Sequence, residues 1–407
     1  MKQEPGNISK IAASAMAQPL ESLLEVRKQE QHLFIGIPKE TSFQENRIPL
    51  VPEAVALLVS RGHEIVIEAG AGHSCNFQDT DFSEAGAQIA YTPEDVYKAN
   101  LILKVAPPSA SETELLKTQQ TLISILQMST QGDRFIRNLS SRKLTAIAYE
   151  YLQDETGRFP IIQAMSEIVG GTSILIAAEY LSNAFSGKGE LLGGVAGIPP
   201  TRVVIFGAGT VGEFAARAAL GLGAMVKVFD NSVYRLRRLQ ANLGTRVFTS
   251  TLVPDIVLKE LKTADVAIGA LRPVNGRTPC VVSEEMVSEM QAGSVIVDVS
   301  IDSGGVFATS EVTNHSNPVF KKFGVVHYCV PNVASRVSRT ASTALSNVFT
   351  PILLSIGEEG GIDDMLWKNA GVRKGVYLYK GAVTNRYISE VCRTPFKDLD
   401  LIMSARL

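Results

Sequence analysis

VVIFGAGTVG, residues 203–212, is an apolar run that leads directly into the pattern G-x-G-x-x-G. An Ala-rich helical pattern follows it, and a second apolar run, Met225–Phe229, ends at Asp230. A strand, a glycine loop, a helix and a second strand in this order predict one βαβ unit of a parallel sheet. The α/β class is therefore expected for this part of the chain.

The three glycines of the motif have separate roles in a dinucleotide site. Gly207 permits the tight turn after the strand, Gly209 lets backbone N–H groups approach a pyrophosphate, and Gly212 lets the helix pack close to the sheet. Asp230 lies at the position where a carboxylate accepts hydrogen bonds from the adenosine ribose and repels a 2′-phosphate. The motif thus favours NAD over NADP; a purely structural turn is the alternative.

The composition is that of an enzyme with two domains. The 407 residues are 45% hydrophobic and 20% charged, and the net charge of −2 argues against a nucleic-acid partner. We find no apolar run of the ~18 residues that a membrane span needs and no secretion signal, so we expect a cytoplasmic protein. The four cysteines lack ligand spacing, which predicts reduced, packed thiols and no metal site.

Strand and helix patterns alternate through most of the chain and predict two Rossmann-like doubly wound α/β domains. Two long helices, at residues 162–186 and 340–356, would link them, with a cleft between the domains. Residues 1–32 are interpreted as an N-terminal helical extension. We expect residues 33–163 with 340–407 to form the substrate (catalytic) domain and residues 164–339 to form the NAD-binding domain.

Two basic residues lie where ligands gather in an open α/β sheet. Arg47 is in the polar loop after the first strand, and its planar guanidinium suits a carboxylate; a solvated arginine is the alternative. Lys104 interrupts the apolar strand at residues 101–105, where a lysine needs a partner or a function. An edge strand with Lys104 facing water is the alternative there.

Three further positions are candidates in the second half of the chain. Asp302 follows the strand at residues 294–299 and could face the nicotinamide, whereas Asp298 could be structural. Ser166, near the start of the first linking helix, could hydrogen-bond the cofactor or cap the helix. His327 is the histidine nearest the expected cleft, although a core histidine is the more common role.

Several colinear segments between residues 34 and 396 resemble the alanine dehydrogenase family, whose catalytic domain is shared with the NAD-binding part of nicotinamide nucleotide transhydrogenases. The matching segments are GIPKETSFQENRIPLVP, RGHEIVIEAGAG, LILKVAPP, AYEYL, MSEIVGG, VVIFGAGTVG, AIGALRPVNGRTP, GSVIVDVSIDSGG and HYCVPNVASRVSRTAST.

The resemblance implies the reversible, NAD-dependent oxidative deamination of L-alanine to pyruvate and ammonia, with hydride transfer from the substrate Cα to nicotinamide C4. Arg47 and Lys104 would bind the substrate carboxylate and carbonyl, and Asp302 would lie beside the reacting amine. A homo-oligomer, often a hexamer, is also implied. With Gly207 and Gly209 of the motif, cofactor contacts would come from Ser166, Val211, Gly212, Asp230, Arg235, Leu271, Arg272, Val299, Ser300, Ile301, Asp302, Val330, Pro331, Asn332 and Val333.

One departure from the family concerns proton transfer. The catalytic histidine of the family falls at Gln127, and a glutamine orients water or substrate but exchanges no proton. This loss favours an alternative, an NAD(H)-binding transhydrogenase-like subunit that passes hydride to NADP on a partner chain. A non-enzymatic NAD sensor is a third hypothesis, although Arg47, Lys104 and Asp302 argue against it. We expect the dehydrogenase, with protons handled by Asp302, Lys104 and water.

Overall fold

The computed structural model describes residues 30–185, 187–273 and 276–405, without the side chains of residues 128–130. Nearly all of the expected N-terminal extension, residues 1–29, lies outside this part of the chain. The strands are β1 (Phe34–Ile37), β2 (Glu64–Glu68), β3 (Gln88–Ala90), β4 (Leu101–Leu103), β5 (Thr121–Ser124), β6 (Thr145–Ala148), β7 (Arg202–Phe206), β8 (Met225–Phe229), β9 (Phe248–Ser250), β10 (Val266–Gly269), β11 (Val295–Asp298), β12 (Val319–Lys322), β13 (Val325–Tyr328), β14 (Val376–Tyr379) and β15 (Ala382–Val383).

The helices pack around these strands, and short 3₁₀ turns connect several of them. The helices are α1 (Pro52–Ser60), α2 (Asp79–Glu84), α3 (Pro93–Val96), α4 (Ala110–Leu115), α5 (Met128–Ser141), α6 (Pro160–Leu181), α7 (Thr210–Gly221), α8 (Val233–Leu243), α9 (Pro254–Leu261), α10 (Glu284–Ser288), α11 (Ser338–Glu358), α12 (Ile362–Lys368), α13 (Ala370–Arg373), α14 (Arg386–Cys392) and α15 (Leu399–Ser404). The 3₁₀ turns are His73–Cys75, Tyr149–Tyr151, Asn183–Phe185, Ile301–Ser303 and Val333–Val337.

In the described residues, the first sheet has eight strands in the order β15-β14-β6-β5-β4-β1-β2-β3. The six strands from β6 to β3 are parallel, and β14 and β15 add an antiparallel edge. The chain runs outward from β1 in one direction and, after β3, returns to β4 on the other side of β1. The loops after β1 and β4 therefore open next to each other, and they carry Arg47 and Lys104.

The second sheet repeats this arrangement, with the order β12-β13-β11-β10-β7-β8-β9 among the described strands. All of its pairs are parallel except β12 with β13. The strand order reverses between the neighbouring strands β7 and β10. The glycine loop follows β7, and Leu271 lies in the loop that follows β10. The prediction of an α/β fold with two Rossmann-like domains is confirmed, whereas the antiparallel edge strands were not predicted from the sequence.

Both sheets are covered on both faces, which explains the short, continuously apolar strands. Two apolar clusters sandwich the first sheet, and two others sandwich the second. Strands β10 and β11 are wholly buried, and partly exposed residues first appear after their ends, at Ala270 and Val299. The residues that follow those ends are consequently the ones available for ligands.

Helices α6 and α11 connect the two sheets and pack against each other. Among the described helices, α6 meets the length and apolarity of a membrane span, contrary to the expectation that no run would reach that length. This is weak evidence for a span, because the core helices of globular proteins meet the same criterion. The packing of α6 against α7, α11 and β11 accounts for part of its apolar composition, while Leu175 of the same helix is exposed.

The isolated thiols and the candidate histidine are mostly core residues. Cys75, Cys329 and Cys392 are free and buried as expected, but Cys280 is exposed, so the expectation of a packed thiol is wrong there. His327 is fully buried, and its Nε2 lies 2.8 Å from the Thr309 hydroxyl. The core interpretation of His327 therefore fits its surroundings.

A glycine in α6 sets the distance between α6 and α7. A Cβ on Gly170 would lie 2.5 Å from the Val211 carbonyl oxygen, whereas a Cβ on Gly171 would meet nothing within 4 Å. We expect Gly170→Ala to lower the free energy of unfolding by about 1–3 kcal/mol, because the helices must separate. Gly171→Ala, the matched control, should be neutral or stabilise by up to about 1 kcal/mol. Urea unfolding of both variants would measure this, and equal effects would contradict the close packing.

Candidate active site

The glycine loop after β7 leaves room for a ligand on one side only. Gly207 has φ 121°, and a Cβ there would lie 2.3 Å from the Ala270 carbonyl oxygen. A Cβ on Gly212 would come within 1.8 Å of the Gly207 carbonyl oxygen, but one on Gly209 would meet nothing within 4 Å. Open space therefore lies at the N-terminus of α7, where backbone N–H groups and the helix dipole favour a phosphate. The loop fits a dinucleotide.

The Asp230 side chain is hydrogen-bonded to the glycine loop, beside the proposed nucleotide site. Its buried carboxylate accepts the Ala208 N–H at 2.8 Å and the Ser232 N–H at 2.7 Å. Arg235 Nη1 lies 3.8 Å from Asp230 Oδ2, with the arginine side chain partly exposed. Because each carboxylate oxygen can accept more than one hydrogen bond, Asp230 retains capacity for the two ribose hydroxyls of a bound nucleotide.

Hydrogen bonds to Asp298 stabilise the loop after β11, and this loop contains Asp302. The Asp298 carboxylate accepts the Val306 N–H and the Ser310 hydroxyl, each at 2.7 Å, which fits the structural role considered for it. Asp302 is exposed in the 3₁₀ turn that follows. Partial desolvation nevertheless raises the pKa of its carboxyl, and a hydrogen bond from the Asn332 backbone N–H opposes that shift.

The sheet order brings most of the expected cofactor residues to one edge. Ser300 Oγ donates to the Leu271 carbonyl oxygen at 2.9 Å and so joins the loops after β10 and β11. Val211, on α7, contacts α6 at Gly170. Ser166 is half-buried in the second turn of α6, which begins at Pro160, so its alternative role as a helix cap is wrong. The remaining expected residues lie in the loops that follow β10, β11 and β13 at this edge: Leu271, Arg272, Val299, Ser300, Ile301, Asp302, Val330, Pro331, Asn332 and Val333.

Arg47 lies in the first domain and is paired with Glu45. Arg47 Nε donates to Glu45 Oε1 at 2.7 Å, and Nη2 donates to Oε2 at 2.6 Å. The side chain of Arg47 is only 12% exposed, so a merely solvated arginine is excluded. Burial by itself would raise the pKa of Glu45, but the hydrogen bonds and charge of Arg47 outweigh it and lower that pKa.

Lys104 is fully buried immediately after the internal strand β4. Its Nζ lies 2.8 Å from Glu112 Oε1 and 3.2 Å from Glu40 Oε2, so the alternative of an edge lysine facing water is wrong. Burial alone would lower the pKa of Lys104, but the two carboxylates raise it. Burial raises the pKa of Glu40 to about 7, although Lys104 opposes the shift. Lys104 therefore stays protonated while Glu40 titrates near neutral pH.

Gln127 follows β5 at the same edge of the first sheet and is exposed. Its backbone is left-handed, with φ 43° and ψ 53°, a conformation that costs a non-glycine residue energy. Glu150 stabilises this turn, because its Oε1 accepts the Leu126 N–H at 2.8 Å. Burial raises the pKa of Glu150 to about 7, and the backbone N–H groups of Leu126 and Gln127 act against the shift.

The sequence did not single out the carboxylates that surround these residues. Glu40 and Glu45 lie in the same loop as Arg47, and Glu150 lies in the segment AYEYL. A glutamate near a cation in a ligand loop is a usable signal, but its partner is visible only in three dimensions. Within the described ranges, no group of three His, Cys, Asp or Glu side chains could hold a metal ion.

Gly209 tests the proposed phosphate position. Its φ of −78° suits alanine, and the added Cβ would enter only the open space beside α7. We expect Gly209→Ala to weaken NADH binding at least about tenfold, a loss of about 1.4 kcal/mol, with an unchanged unfolding midpoint. Gly221→Ala, at the far end of α7 and also unobstructed, is the control. Fluorescence titration with NADH would show the difference, and equal affinity for both variants would contradict this placement.

Glu150 makes stability depend on pH in a defined direction. Its pKa rises from 4.5 to about 7 on folding, so the folded state loses stability relative to the unfolded chain as the pH rises through that interval. Glu150→Gln removes this loss, which amounts to at most about 3 kcal/mol. The free energy of unfolding of the variant minus that of the wild type should therefore increase from about pH 5 to about pH 8.

Urea unfolding at several pH values would measure that difference. Glu155→Gln, in the exposed turn that follows, is the matched control and should show a difference independent of pH. A flat difference for Glu150→Gln would mean that the Glu150 carboxyl is not desolvated in the folded protein.

Comparisons with known proteins agree with this geometry. The family models "Alanine dehydrogenase/PNT, N-terminal domain" and "Alanine dehydrogenase/PNT, C-terminal domain" match residues 36–169 and 173–386. An alanine dehydrogenase of Methanococcus maripaludis is 39% identical over 366 residues, which are 89% of this chain and 98% of that protein. Alanine dehydrogenase 2 of Staphylococcus aureus is 37% identical over 367 residues, 90% of this chain and 98% of that protein.

Solved structures give the same result. An L-alanine dehydrogenase, 36% identical, superposes with a TM-score of 0.82 and covers 88% of this chain and 98% of its own. A transhydrogenase from Sinorhizobium meliloti, 25% identical, has a TM-score of 0.74 and covers 87% of this chain and 99% of its own. With both family domains matched in order and relatives above one-third identity along nearly their whole length, the chain belongs to the alanine dehydrogenase/PNT family.

Proposed function

We propose that this protein is an NAD-dependent alanine dehydrogenase, which converts L-alanine to pyruvate and ammonia reversibly. One observation carries the proposal. Two buried cations, Arg47 and Lys104, lie where the strand order of the first sheet reverses, and hydrogen bonds through Glu45 join Arg47 to Asn332, in the loop after β13 of the other sheet. A site for an amino-acid carboxylate thus adjoins a dinucleotide site.

Arg47 binds the substrate carboxylate in this proposal. Glu45 accepts hydrogen bonds from its Nε and Nη2, whereas its Nη1 donates to the Met165 sulfur at 3.5 Å, and a thioether is a weak acceptor. A carboxylate oxygen that replaces this contact gains a charge-assisted hydrogen bond. The Tyr149 hydroxyl donates to the Val105 carbonyl oxygen at 2.8 Å and so stabilises the loop that follows Lys104.

Lys104 binds the oxygen that becomes the pyruvate carbonyl and stabilises negative charge there. Deamination also needs groups that accept and return protons while water adds at Cα and ammonia leaves. Glu40, with its pKa raised to about 7 by burial and its Oε2 3.2 Å from Lys104 Nζ, can hold such a proton. Asp302 serves the amine side, and Gln127 orients water on the turn that Glu150 stabilises.

NAD, when bound, accepts the hydride that leaves the substrate Cα. The glycine loop holds its phosphates, Asp230 accepts hydrogen bonds from its ribose, and the loops after β10, β11 and β13 surround its nicotinamide half. Ser166, Val211 and Arg235 complete the proposed contacts. The carboxylate of Asp230 selects NAD over NADP by repelling a 2′-phosphate.

A transhydrogenase-like subunit is the second candidate function. Gln127 favours it, because hydride transfer between two nicotinamides needs no acid/base histidine at that position. The likeness to the Sinorhizobium meliloti transhydrogenase is compatible with it, although that structure is less similar in sequence than the alanine dehydrogenases. The buried cations argue for the dehydrogenase, since a protein that binds no carboxylate substrate has no use for a second charged site.

Exposed apolar side chains on the surface bear on the assembly of the protein. We infer a homo-oligomer, a hexamer by family resemblance, that works in the cytoplasm. The exposed apolar side chains of Leu175, Leu191 and Ile198 support association with further copies. The substrate domain would comprise residues 33–163 and 340–407, and the NAD-binding domain residues 164–339.

Formation of NADH, followed by absorbance with NAD and a panel of L-amino acids at alkaline pH, tests the reaction. We expect turnover with L-alanine by the wild type, and a KM for alanine at least about tenfold higher in Arg47→Lys, which keeps the charge but loses the planar fork. The variant should still bind NADH, which shows that the loss lies at the substrate. Gln127→His should remain active, because histidine tolerates the left-handed backbone.

The same assay separates the two candidate functions. Absence of turnover with every amino acid in both the wild type and Gln127→His, together with intact NADH binding, would refute the dehydrogenase. Hydride transfer to an NADP analogue supplied with a partner subunit would then be the reaction to measure.

A further inference from the structure

The carboxylate of Glu45 accepts hydrogen bonds from both domains. Arg47 supplies three donors from the first domain, its backbone N–H at 3.1 Å, Nε at 2.7 Å and Nη2 at 2.6 Å. The second domain supplies Asn332 Nδ2 at 3.1 Å and the Ser335 hydroxyl at 3.1 Å. Glu45 is only 6% exposed, so water replaces none of these contacts readily.

The contacts continue from Glu45 into the proposed cofactor loop. Asn332 is left-handed, with φ 55°, and its side chain also bonds Ser335 Oγ at 2.8 Å. Its backbone N–H also acts to lower the pKa of the Asp302 carboxyl, against the rise that burial causes. Ser335 Oγ accepts the Asn46 N–H at 3.3 Å, which ties the same turn to the Arg47 loop. One hydrogen-bonded series therefore runs from Arg47 through Glu45 to Asn332, within the proposed cofactor loop at residues 330–333.

This series restricts Arg47 and the cofactor loop together. A guanidinium held along one edge by a carboxylate keeps a single orientation, and the carboxylate keeps its own only while Asn332 and Ser335 remain in place. A ligand that orders residues 330–333 thus also orders Arg47, and a carboxylate bound to Arg47 orders that loop in return. Two sites that share such an element bind their ligands with a coupling free energy that is equal in both directions.

We propose that Glu45 is a positioning residue that couples binding of the substrate carboxylate at Arg47 to binding of the nicotinamide cofactor at residues 330–333. The inference rests on the proposed function, because it takes pyruvate and NADH as the two ligands. Glu45 contacts neither ligand in this proposal and acts through Arg47 and Asn332. The coupling makes the substrate site complete only when the cofactor is present.

Calorimetric titration of NADH, with and without saturating pyruvate, measures the coupling without turnover, because no ammonia is supplied. We expect pyruvate to lower the Kd for NADH about tenfold or more in the wild type, within the usual range of coupled sites. Ser335→Ala removes the hydroxyl that bonds Glu45, and Glu45→Gln removes the charge. Both should reduce the ratio of the two Kd values to below about threefold.

Gln44→Asn is the matched control. Gln44 also bridges the domains, since its Oε1 accepts the His315 N–H at 3.1 Å, and its backbone carbonyl, which the substitution keeps, accepts Asn332 Nδ2 at 3.3 Å. Asparagine suits the left-handed backbone of position 44, with φ 64°, and is too short to keep this bond. The control should therefore retain the wild-type ratio. A purely structural role for Ser335 would shift both Kd values and leave their ratio intact.

The outcomes separate this inference from the function on which it rests. An unchanged ratio in Ser335→Ala and Glu45→Gln, or a wild-type ratio of one with both ligands bound, overturns the coupling alone. NADH binding with no pyruvate binding, measured directly by titrating pyruvate into the NADH complex, overturns the proposed function and the coupling with it. If Glu45→Gln fails to fold, Ser335→Ala and Gln44→Asn still decide the matter.

Discussion

Right-handed crossover connections force each parallel sheet to open at one place. The chain runs outward from a central strand in one direction and then returns to add strands on the other side of it. The helices that follow these two neighbouring strands lie on opposite faces of the sheet. The loops that lead to those helices therefore diverge and leave a crevice. This happens between β1 and β4 in one sheet and between β7 and β10 in the other. The charged pairs and the glycine loop lie at these two openings, which makes the topology the constraint behind both sites.

The first opening collects charges that would be costly to bury separately. Lys104 has two glutamates within 3.2 Å, and Arg47 has a doubly hydrogen-bonded partner in Glu45. Breaking such a pair leaves an uncompensated buried charge, which costs several kcal/mol. Burial also raises the pKa of Glu40 to about 7, so a carboxyl 3.2 Å from Lys104 Nζ can exchange protons near neutrality. A site without the family histidine still contains titratable groups of suitable pKa.

Two alternatives that the sequence left open are excluded for a common reason. A lysine in a short apolar strand is compatible with an edge strand, yet β4 pairs on both sides and Lys104 is buried. A serine near the start of a helical pattern is compatible with a cap, yet α6 begins six residues earlier, at Pro160. Periodicity and residue type describe the neighbourhood along the chain, whereas the number of strands beside a strand depends on segments far away.

The sequence by itself determined the α/β class, the glycine loop with its acidic partner Asp230, and the candidacy of Arg47, Lys104 and Asp302. These features are local, because a turn, a helix N-terminus or a strand end is encoded by adjacent residues. Only the tertiary structure decided which groups neutralise the cations and which hydrogen bonds join the two domains. Ser335 bonds Glu45 across 290 positions of sequence, and no spacing rule anticipates such a contact. Hydrogen bonds and ion pairs require proximity in space, and the packing of the two sheets alone brings these residues together.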